Sequence, residues 1–291
     1  MIPKILYTCW LSDISTMPDK IKECVSTQLE HHKDYEHIII DYNKYKLIEN
    51  VLPNWVKRAF KQGDYAHVSD YMRTYYLYKY GGIYLDSDVR CIKIGNVFDK
   101  YLGFDFFANI EISFNFYDAY DIFGNQYDIC HFDKPIQINK DEFFKCFIDD
   151  LIKNGNFKEK VDLIDFLKHN YKFIESFAYG IAIDGAMFGS AKGNDILRGM
   201  LHLYNSDLFE DYISDTNITN KIHYYPNICN IIAKSFERYG FNYNVELGKT
   251  YMYNQDKYVL FTNRFYSIID YEHRDNINCE FVHLCNGSWR K

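Results

Sequence analysis

Residues 2–10 form a nearly unbroken apolar run rich in β-formers, which predicts a first buried strand. Residues 12–18 read as a loop, and 19–33 as a helix. The run HIIID at 37–41 is a short buried strand ending in an acid, and 43–62 is helical in pieces, broken at Pro53. Asp64 is placed to cap a helix that continues to about Tyr80. The pair Gly81-Gly82 ends that helix, because glycine enters the positive-φ turn that other residues resist. Residues 83–85 follow as a strand, with Asp86 at its end. The order strand, helix, strand, helix, helix, strand predicts an α/β fold with a mixed, mostly parallel sheet and helices on both faces. Ligands of such sheets bind beyond the carboxyl ends of the strands, which is where Asp86 falls.

The middle of the chain carries a weaker pattern. Residues 104–116 predict one or two strands, 140–153 and 161–169 helices, 181–188 a strand, and 194–205 a helix. Residues 226–238 predict another helix, ended by Gly240, and 245–289 alternate short strands and turns. With no repeat, no low-complexity linker and no break in composition, residues 1–291 are read as a single domain.

Composition narrows the classes of function. The chain is 47% hydrophobic and 25% charged, as in ordinary globular proteins. Its net charge of −7 argues against a nucleic-acid partner, which needs a positive field to offset phosphate, and against strong electrostatic attraction of the whole chain to an anionic membrane surface, leaving only a local basic patch open. The aromatic fraction of 19% accompanies abundant Asn, Lys and Ile, and is read first as a base-composition effect rather than as a sugar-stacking surface. The eight cysteines form no CxxC pair and no zinc-type Cys/His cluster, so they are read as reduced thiols of a cytoplasmic protein. The amino-terminal run has no cleavage-site pattern, and no apolar run approaches the ~20 residues of a transmembrane helix. Peripheral contact at the inner face of the membrane stays open.

The candidate chemistry lies in residues 64–88, DYAHVSDYMRTYYLYKYGGIYLDSD. Asp70 and Arg73 are three apart on one predicted helix and share a face. The Arg73 guanidinium offers a rigid donor fork to phosphate or hydroxyl oxygens. Asp86 and Asp88, two apart beyond a strand end, can share one cation. Magnesium and manganese bind through one or two carboxylates together with phosphate oxygens, and act as Lewis acids on a diphosphate leaving group. Separately, a DxD triplet is commonly a solvated turn and an i,i+3 Asp/Arg pair a surface ion pair. Their conjunction with the glycine pair and the apolar strand points to a site.

Ser69-Asp70, Arg73, Leu77, Gly81-Gly82-Ile83-Tyr84-Leu85 and Asp86-Ser87-Asp88 together resemble the signature of the glycosyltransferase sugar-binding region with a DxD motif. That is glycosyltransferase family 32, which includes capsular-polysaccharide enzymes and yeast mannosyltransferases. The segment is also similar to the catalytic domains of large clostridial glucosylating toxins. Ile2-Pro3-Lys4-Ile5 with Trp10, residues 186–204, Tyr225-Pro226, and His283 with Gly287-Ser288-Trp289 resemble further blocks of the family. The resemblance implies a GT-A-type, Rossmann-like fold. It implies that Asp86 holds the donor ribose and assists a Mn2+ or Mg2+ ion, with Asp88 as its main ligand and His283 as a further one. Asp70 and Arg73 would bind the donor sugar or phosphate, Trp10 would stack on the nucleobase, and Ser288 and Trp289 would close over the diphosphate. Tyr7 departs from a frequent family histidine, and His283 is followed by Leu284 where the family often has a second histidine. Trp10 and His283 therefore keep a second reading, as core side chains.

The same resemblance implies a retaining hexosyltransferase of surface-polysaccharide or capsule biosynthesis. Its donor would be a UDP-sugar, UDP-galactose or UDP-glucose first and GDP-mannose next, and its acceptor a glycan, possibly lipid-linked. Tyr117, Tyr120, Phe123 and Tyr127 read as packing residues rather than as a sugar platform. A toxin-like protein glycosyltransferase, a non-catalytic sugar-binding relative and a nucleotide-sugar hydrolase or phosphotransferase on the same metal site are the alternatives.

Overall fold

The structure, a computed structural model, describes residues 1–92, 95–112, 181–206, 209, 228–242, 245, 249–262, 266–268 and 280–284. The first strand is β1 (Ile5–Cys9), followed by helix α1 (Asp19–His31) and β2 (Glu36–Ile40). A single 3-10 turn at Ile14–Thr16 interrupts the predicted loop, closed by the Asp13 carboxylate accepting from the Ser15 N–H. Then come α2 (Tyr42–Ile48), a 3-10 turn (Glu49–Val51), α3 (Asn54–Gln62), α4 (Tyr65–Tyr80) and β3 (Gly82–Leu85). The remaining elements are β4 (Val89–Cys91), β5 (Phe106–Ile112), β6 (Ile181–Ser190), α5 (Asp195–Tyr204), α6 (Ile228–Phe236), β7 (Thr250–Tyr253), β8 (Tyr258–Thr262), β9 (Tyr266–Ile268) and β10 (Phe281–His283).

Seven strands form one sheet in the order β2-β1-β3-β6-β5-β8-β7. The β1 pairings with β2 and β3 are parallel, as is β5 with β8. Strand β6 runs antiparallel to both its neighbours, and β7 antiparallel to β8. Five of the seven strands therefore point one way, the mixed and mostly parallel arrangement expected for a GT-A-type α/β fold. A second sheet of three strands, β4-β10-β9, lies beside it.

Side chains on a strand alternate between faces, and the core divides accordingly. Tyr7, Tyr84, Phe106, Phe188 and Leu260 join one cluster with Trp55, Met72, Met200 and Phe236 from α3–α6. Leu6, Ile83, Phe107, Met187 and Val259 join the other, with Val89 and Phe281 of the small sheet. Helix α1 packs on that second side, against β4. The expected helices at 140–153 and 161–169, and the aromatics Tyr117, Tyr120, Phe123 and Tyr127, lie outside the described residues. Among the described cysteines, Cys9, Cys24, Cys91 and Cys229 are thiols rather than disulfides. Among the described residues no helix is long and apolar enough to cross a membrane.

The glycine pair is needed where α4 hands over to β3. Gly81 has φ +74° and Gly82 φ +126°. A Cβ on Gly82 would stand 2.8 Å from the Ile5 carbonyl oxygen and 2.7 Å from the Tyr7 ring. Gly82→Ala is therefore expected to destabilise the protein by roughly 2–4 kcal/mol, from backbone strain and overlap together. The urea midpoint checks this, and a wild-type midpoint would contradict it.

Candidate functional site

Helix α4 ends where β3 begins, so its amino-terminal half stands over the carboxyl end of that strand. Asp64 caps it: the carboxylate lies 3.5 Å from the His67 N–H and 2.8 Å from the His67 ring Nδ1. Two turns further, Asp70 and Arg73 are buried, at 8% and 5% exposure. The Arg73 guanidinium is almost fully engaged. Its Nη1 is 3.0 Å from Asp86 Oδ1 and donates to the Gly185 carbonyl at 2.8 Å. Its Nη2 is 3.1 Å from Asp70 Oδ1 and donates to Ser69 Oγ at 3.1 Å. Its Nε donates to the Ser69 carbonyl at 3.4 Å, and its plane lies 4.2 Å from the Tyr84 ring centroid. Burial works against the Arg73 charge, but the fields of Asp86, Tyr84 and Asp70 outweigh it and keep the group protonated.

Asp86 takes the position expected of it, one residue past β3. Its backbone N–H donates to the Ala186 carbonyl at 2.8 Å. The Tyr84 hydroxyl donates to its Oδ1 at 2.7 Å, so Arg73 and Tyr84 hold the same oxygen from two sides. The other oxygen, Oδ2, lies 3.9 Å from His283 Nε2. Asp88 Oδ1 is 3.2 Å from that same nitrogen.

The tertiary structure explains how a histidine so distant in sequence reaches the motif. Strand β10 pairs antiparallel with β4, putting His283 opposite Val89. The Leu284 N–H then donates to the Asp88 carbonyl at 3.0 Å. One ligand atom each from Asp86, Asp88 and His283 fall within 4.8 Å of one another. Two carboxylates and one imidazole, all half-buried, are a donor set that fits a divalent cation. The structure thus brings Asp70, Arg73, Asp86, Asp88 and His283 into one cluster.

Trp10 stands one residue past β1, at the same edge of the sheet. Its indole N–H donates to the Asp13 carbonyl at 3.2 Å, and its half-buried ring packs on the cluster of Met17, Ile21 and Val25. Ser288 and Trp289 lie outside the described residues.

Three supporting side chains carried no role in the sequence reading: Tyr84, Ser69 and Gln28. Gln28 is 1% exposed. Its side-chain amide donates to the Asp86 carbonyl at 2.9 Å and to the Val89 carbonyl at 2.8 Å. Its own oxygen accepts from Thr8 Oγ1 at 2.7 Å. Gln28 therefore fixes both ends of the turn that presents Asp86 and Asp88. The signal was present in the sequence: Ile21, Cys24, Val25 and Gln28 are the buried stripe of α1, and a glutamine in an apolar stripe needs buried partners. For Tyr84, the signal is a tyrosine inside a fully buried strand, whose hydroxyl must find an acceptor.

Two outcomes follow from this geometry. Gln28→Leu removes the donor for two buried carbonyls and is expected to cost roughly 2–4 kcal/mol of stability, measured by chemical denaturation; a loss below the experimental error would refute the clamp. Asp70 behaves differently. Burial pushes its carboxyl up to about 6, against the pull of Arg73. In the unfolded chain an aspartate titrates near ~3.9. The folded state thus holds this proton more tightly, so its contribution to stability is complete below the unfolded value and is lost as pH rises through about 6. Asp70→Asn is expected to flatten the fall in stability between those two values, and parallel pH profiles for the two proteins would exclude the assignment.

Comparison with known proteins agrees with the reading of the motif. Residues 18–102 match the family model for the glycosyltransferase sugar-binding region containing the DXD motif. The chain is 34% identical over 92 residues to inositol phosphoceramide mannosyltransferase 3 of Schizosaccharomyces pombe, covering 31% of this chain and 25% of that one. It is 28% identical over 127 residues to an uncharacterized glycosyltransferase of Acanthamoeba polyphaga mimivirus, covering 43% of this chain and 47% of the relative. The chain therefore spans no more than about half the length of these curated relatives. Among solved structures, PaToxG glycosyltransferase aligns with a TM-score of 0.39 at 14% identity, over 81% of this chain and 69% of that one. The matched segment runs from α1 through the 3-10 turn at Asp99–Tyr101 and includes Asp70, Arg73, Asp86 and Asp88. The similarity to the glycosyltransferase sugar-binding region containing the DXD motif thus lies in residues 18–102, the segment that holds four of the five clustered side chains.

Proposed function

We propose that this protein is a metal-dependent, retaining glycosyltransferase that moves a hexose from a UDP-sugar to a hydroxyl of a glycan acceptor. The observation that carries the reading is the convergence of Asp86, Asp88 and His283 at the carboxyl edge of the sheet, inside and opposite the DXD segment. These three side chains would hold a Mn2+ or Mg2+ ion, which would supply charge neutralisation for a departing diphosphate.

The chain's own residues do the positioning. Tyr84 and Arg73 hold one oxygen of Asp86, which leaves the other facing His283 and Asp88. Because the Arg73 donors are occupied by protein acceptors, Arg73 acts by orienting Asp86 and Asp70 and by its fixed positive charge, rather than by clamping a phosphate with a free fork. Asp70, buried beside it, accepts from hydroxyls of the donor sugar. Trp10 is the side chain for nucleobase stacking, and Ser288 and Trp289, outside the described residues, keep the diphosphate-covering role that the family resemblance implies. No enzymic nucleophile is assigned. The acceptor hydroxyl attacks the anomeric carbon from the face the diphosphate leaves, and its proton passes to the leaving phosphate oxygen. The transition state is oxocarbenium-like, and the gain comes from orientation and electrostatics.

The acceptor is read as a lipid-linked or surface-polysaccharide glycan, met by a cytoplasmic enzyme at the inner face of the membrane, with residues 1–291 acting as one domain. A second donor, GDP-mannose, is favoured by one observation: a relative 34% identical over 92 residues is named inositol phosphoceramide mannosyltransferase 3.

The test offers UDP-galactose, UDP-glucose and GDP-mannose to the purified protein, with manganese or with a chelator, and measures free nucleoside diphosphate. Metal-dependent release from one donor is expected, reduced about a hundredfold or more in Asp88→Ala. Absence of release from every donor, together with absence of UDP and GDP binding in manganese, would defeat the reading. Product with inverted anomeric configuration would defeat its stereochemical part.

A further inference from the structure

A segment beside the carboxyl edge of the main sheet departs in charge from the rest of the chain. Residues 42–63, covering α2, the 3-10 turn and α3, contain Lys44, Lys46, Lys57, Arg58 and Lys61 but only one acid, Glu49. The segment carries +4 in a chain of net charge −7, which leaves −11 on all other residues. It also holds Leu47 and Val51, exposed to 80% and 64%, the largest values among the described bulky apolar side chains after Met1. Leu47 lies in the last turn of α2 and Val51 in the 3-10 turn that follows it, and both side chains are exposed.

The opposite face of this segment is fully committed to the core. Tyr45, Ile48, Leu52, Trp55, Val56 and Ala59 are buried there. Leu47 and Val51 are thus the outward residues of a well-packed element, not side chains of a loose one. Single exposed apolar residues are ordinary on protein surfaces. A pair of them set among cations, on a molecule otherwise strongly acidic, is the composition of a face that meets an anionic interface.

The topology puts both ends of this segment toward the carboxyl edge of the sheet. Helix α2 begins on Asp41, directly after β2 at its carboxyl end. Helix α3 is closed by Gly63, one residue before the Asp64 cap of α4. From Asp64 to Asp70 the helix climbs about 9 Å.

We propose that the outward face of α2 and α3 docks on an anionic lipid surface. Leu47 and Val51 enter the headgroup layer, while Lys57 and Lys61 face the headgroup phosphates; Lys46 is ion-paired with Glu49 at 2.7 Å and Arg58 has its Nε buried, so these two contribute charge rather than contact. The acidic remainder of the chain is repelled by the same surface, which fixes the orientation of the molecule on it. A second copy of the chain fits this face poorly, since a two-fold contact sets the same cations against each other. The docking deepens the glycosyltransferase reading and rests on it for its purpose, which is to bring a lipid-linked acceptor to Asp86 and Asp88; the binding itself is independent of that reading.

The experiment uses the full chain with neutral phosphatidylcholine vesicles and with vesicles containing phosphatidylglycerol, followed by cosedimentation across a salt series. Binding is expected to the anionic vesicles alone and to weaken with salt. The double variant Lys57→Glu/Lys61→Glu should reduce it about tenfold or more, and Leu47→Ser/Val51→Ser should weaken it at every salt concentration. Both variants should keep wild-type release of nucleoside diphosphate from a soluble donor, since neither touches the site. Equal binding to neutral vesicles, no binding to anionic ones, or wild-type binding by the charge-reversed variant would each overturn the proposal. Self-association abolished by Leu47→Ser/Val51→Ser, without vesicle binding, would overturn it in favour of a contact between copies. Vesicle binding as described in a protein that releases no nucleotide would leave the lipid face standing and sink only the transferase reading.

Discussion

One buried guanidinium organises the candidate site. A charge as enclosed as that of Arg73 is costly unless its donors are matched by acceptors of opposite charge or by carbonyls. The fold supplies those acceptors from three separate elements: Asp70 and Ser69 on α4, Asp86 after β3, and the Gly185 carbonyl on β6. These acceptors come from three elements, so satisfying Arg73 fixes the helix, the strand end and the antiparallel neighbour relative to one another. Removing either carboxylate leaves an Arg73 donor without its acceptor, which couples the stability of the region to its chemistry.

A second constraint is the turn from Asp86 to Val89. Short acidic turns are ordinarily free to rearrange, because their carbonyls face water. Here the carbonyls of Asp86, Asp88 and Val89 are bonded to Gln28 and to the Leu284 N–H, from opposite ends of the chain. The two acids are therefore presented from a rigid support, the condition under which fixed dipoles and charges act on a reaction without reorganising first.

Much of the fold was legible because its first part follows simple periodicities. Apolar runs, the Pro53 break, the Asp64 cap and the glycine pair each state a local preference that agrees with the final topology. The expected helix over 19–33 runs past α1, which stops at His31, and the 3-10 turn capped by Asp13 falls inside an expected loop, whereas the expected helical end at 62 coincides with the end of α3 before Gly63. Asp70, Arg73, Asp86 and Asp88 were legible as a group because their spacing is local. His283 was legible only through resemblance, since nothing in its own neighbourhood records that β10 will pair with β4. Gln28 and Tyr84 were visible as polar atoms in apolar settings, but their partners are set by tertiary structure, and no pattern along the chain names them.

The pairing of β10 with β4 has a temporal consequence. During synthesis Asp86 and Asp88 leave the ribosome long before His283 does, and the strand that carries the histidine makes only a three-residue ladder with its partner. A growing chain can thus fold α1 to β3 around Arg73 while the third candidate ligand is still unmade. Full affinity for a divalent ion at the proposed site would then arise only once β10 has joined β4, and capture of the ion would, through mass action, hold that short ladder in place.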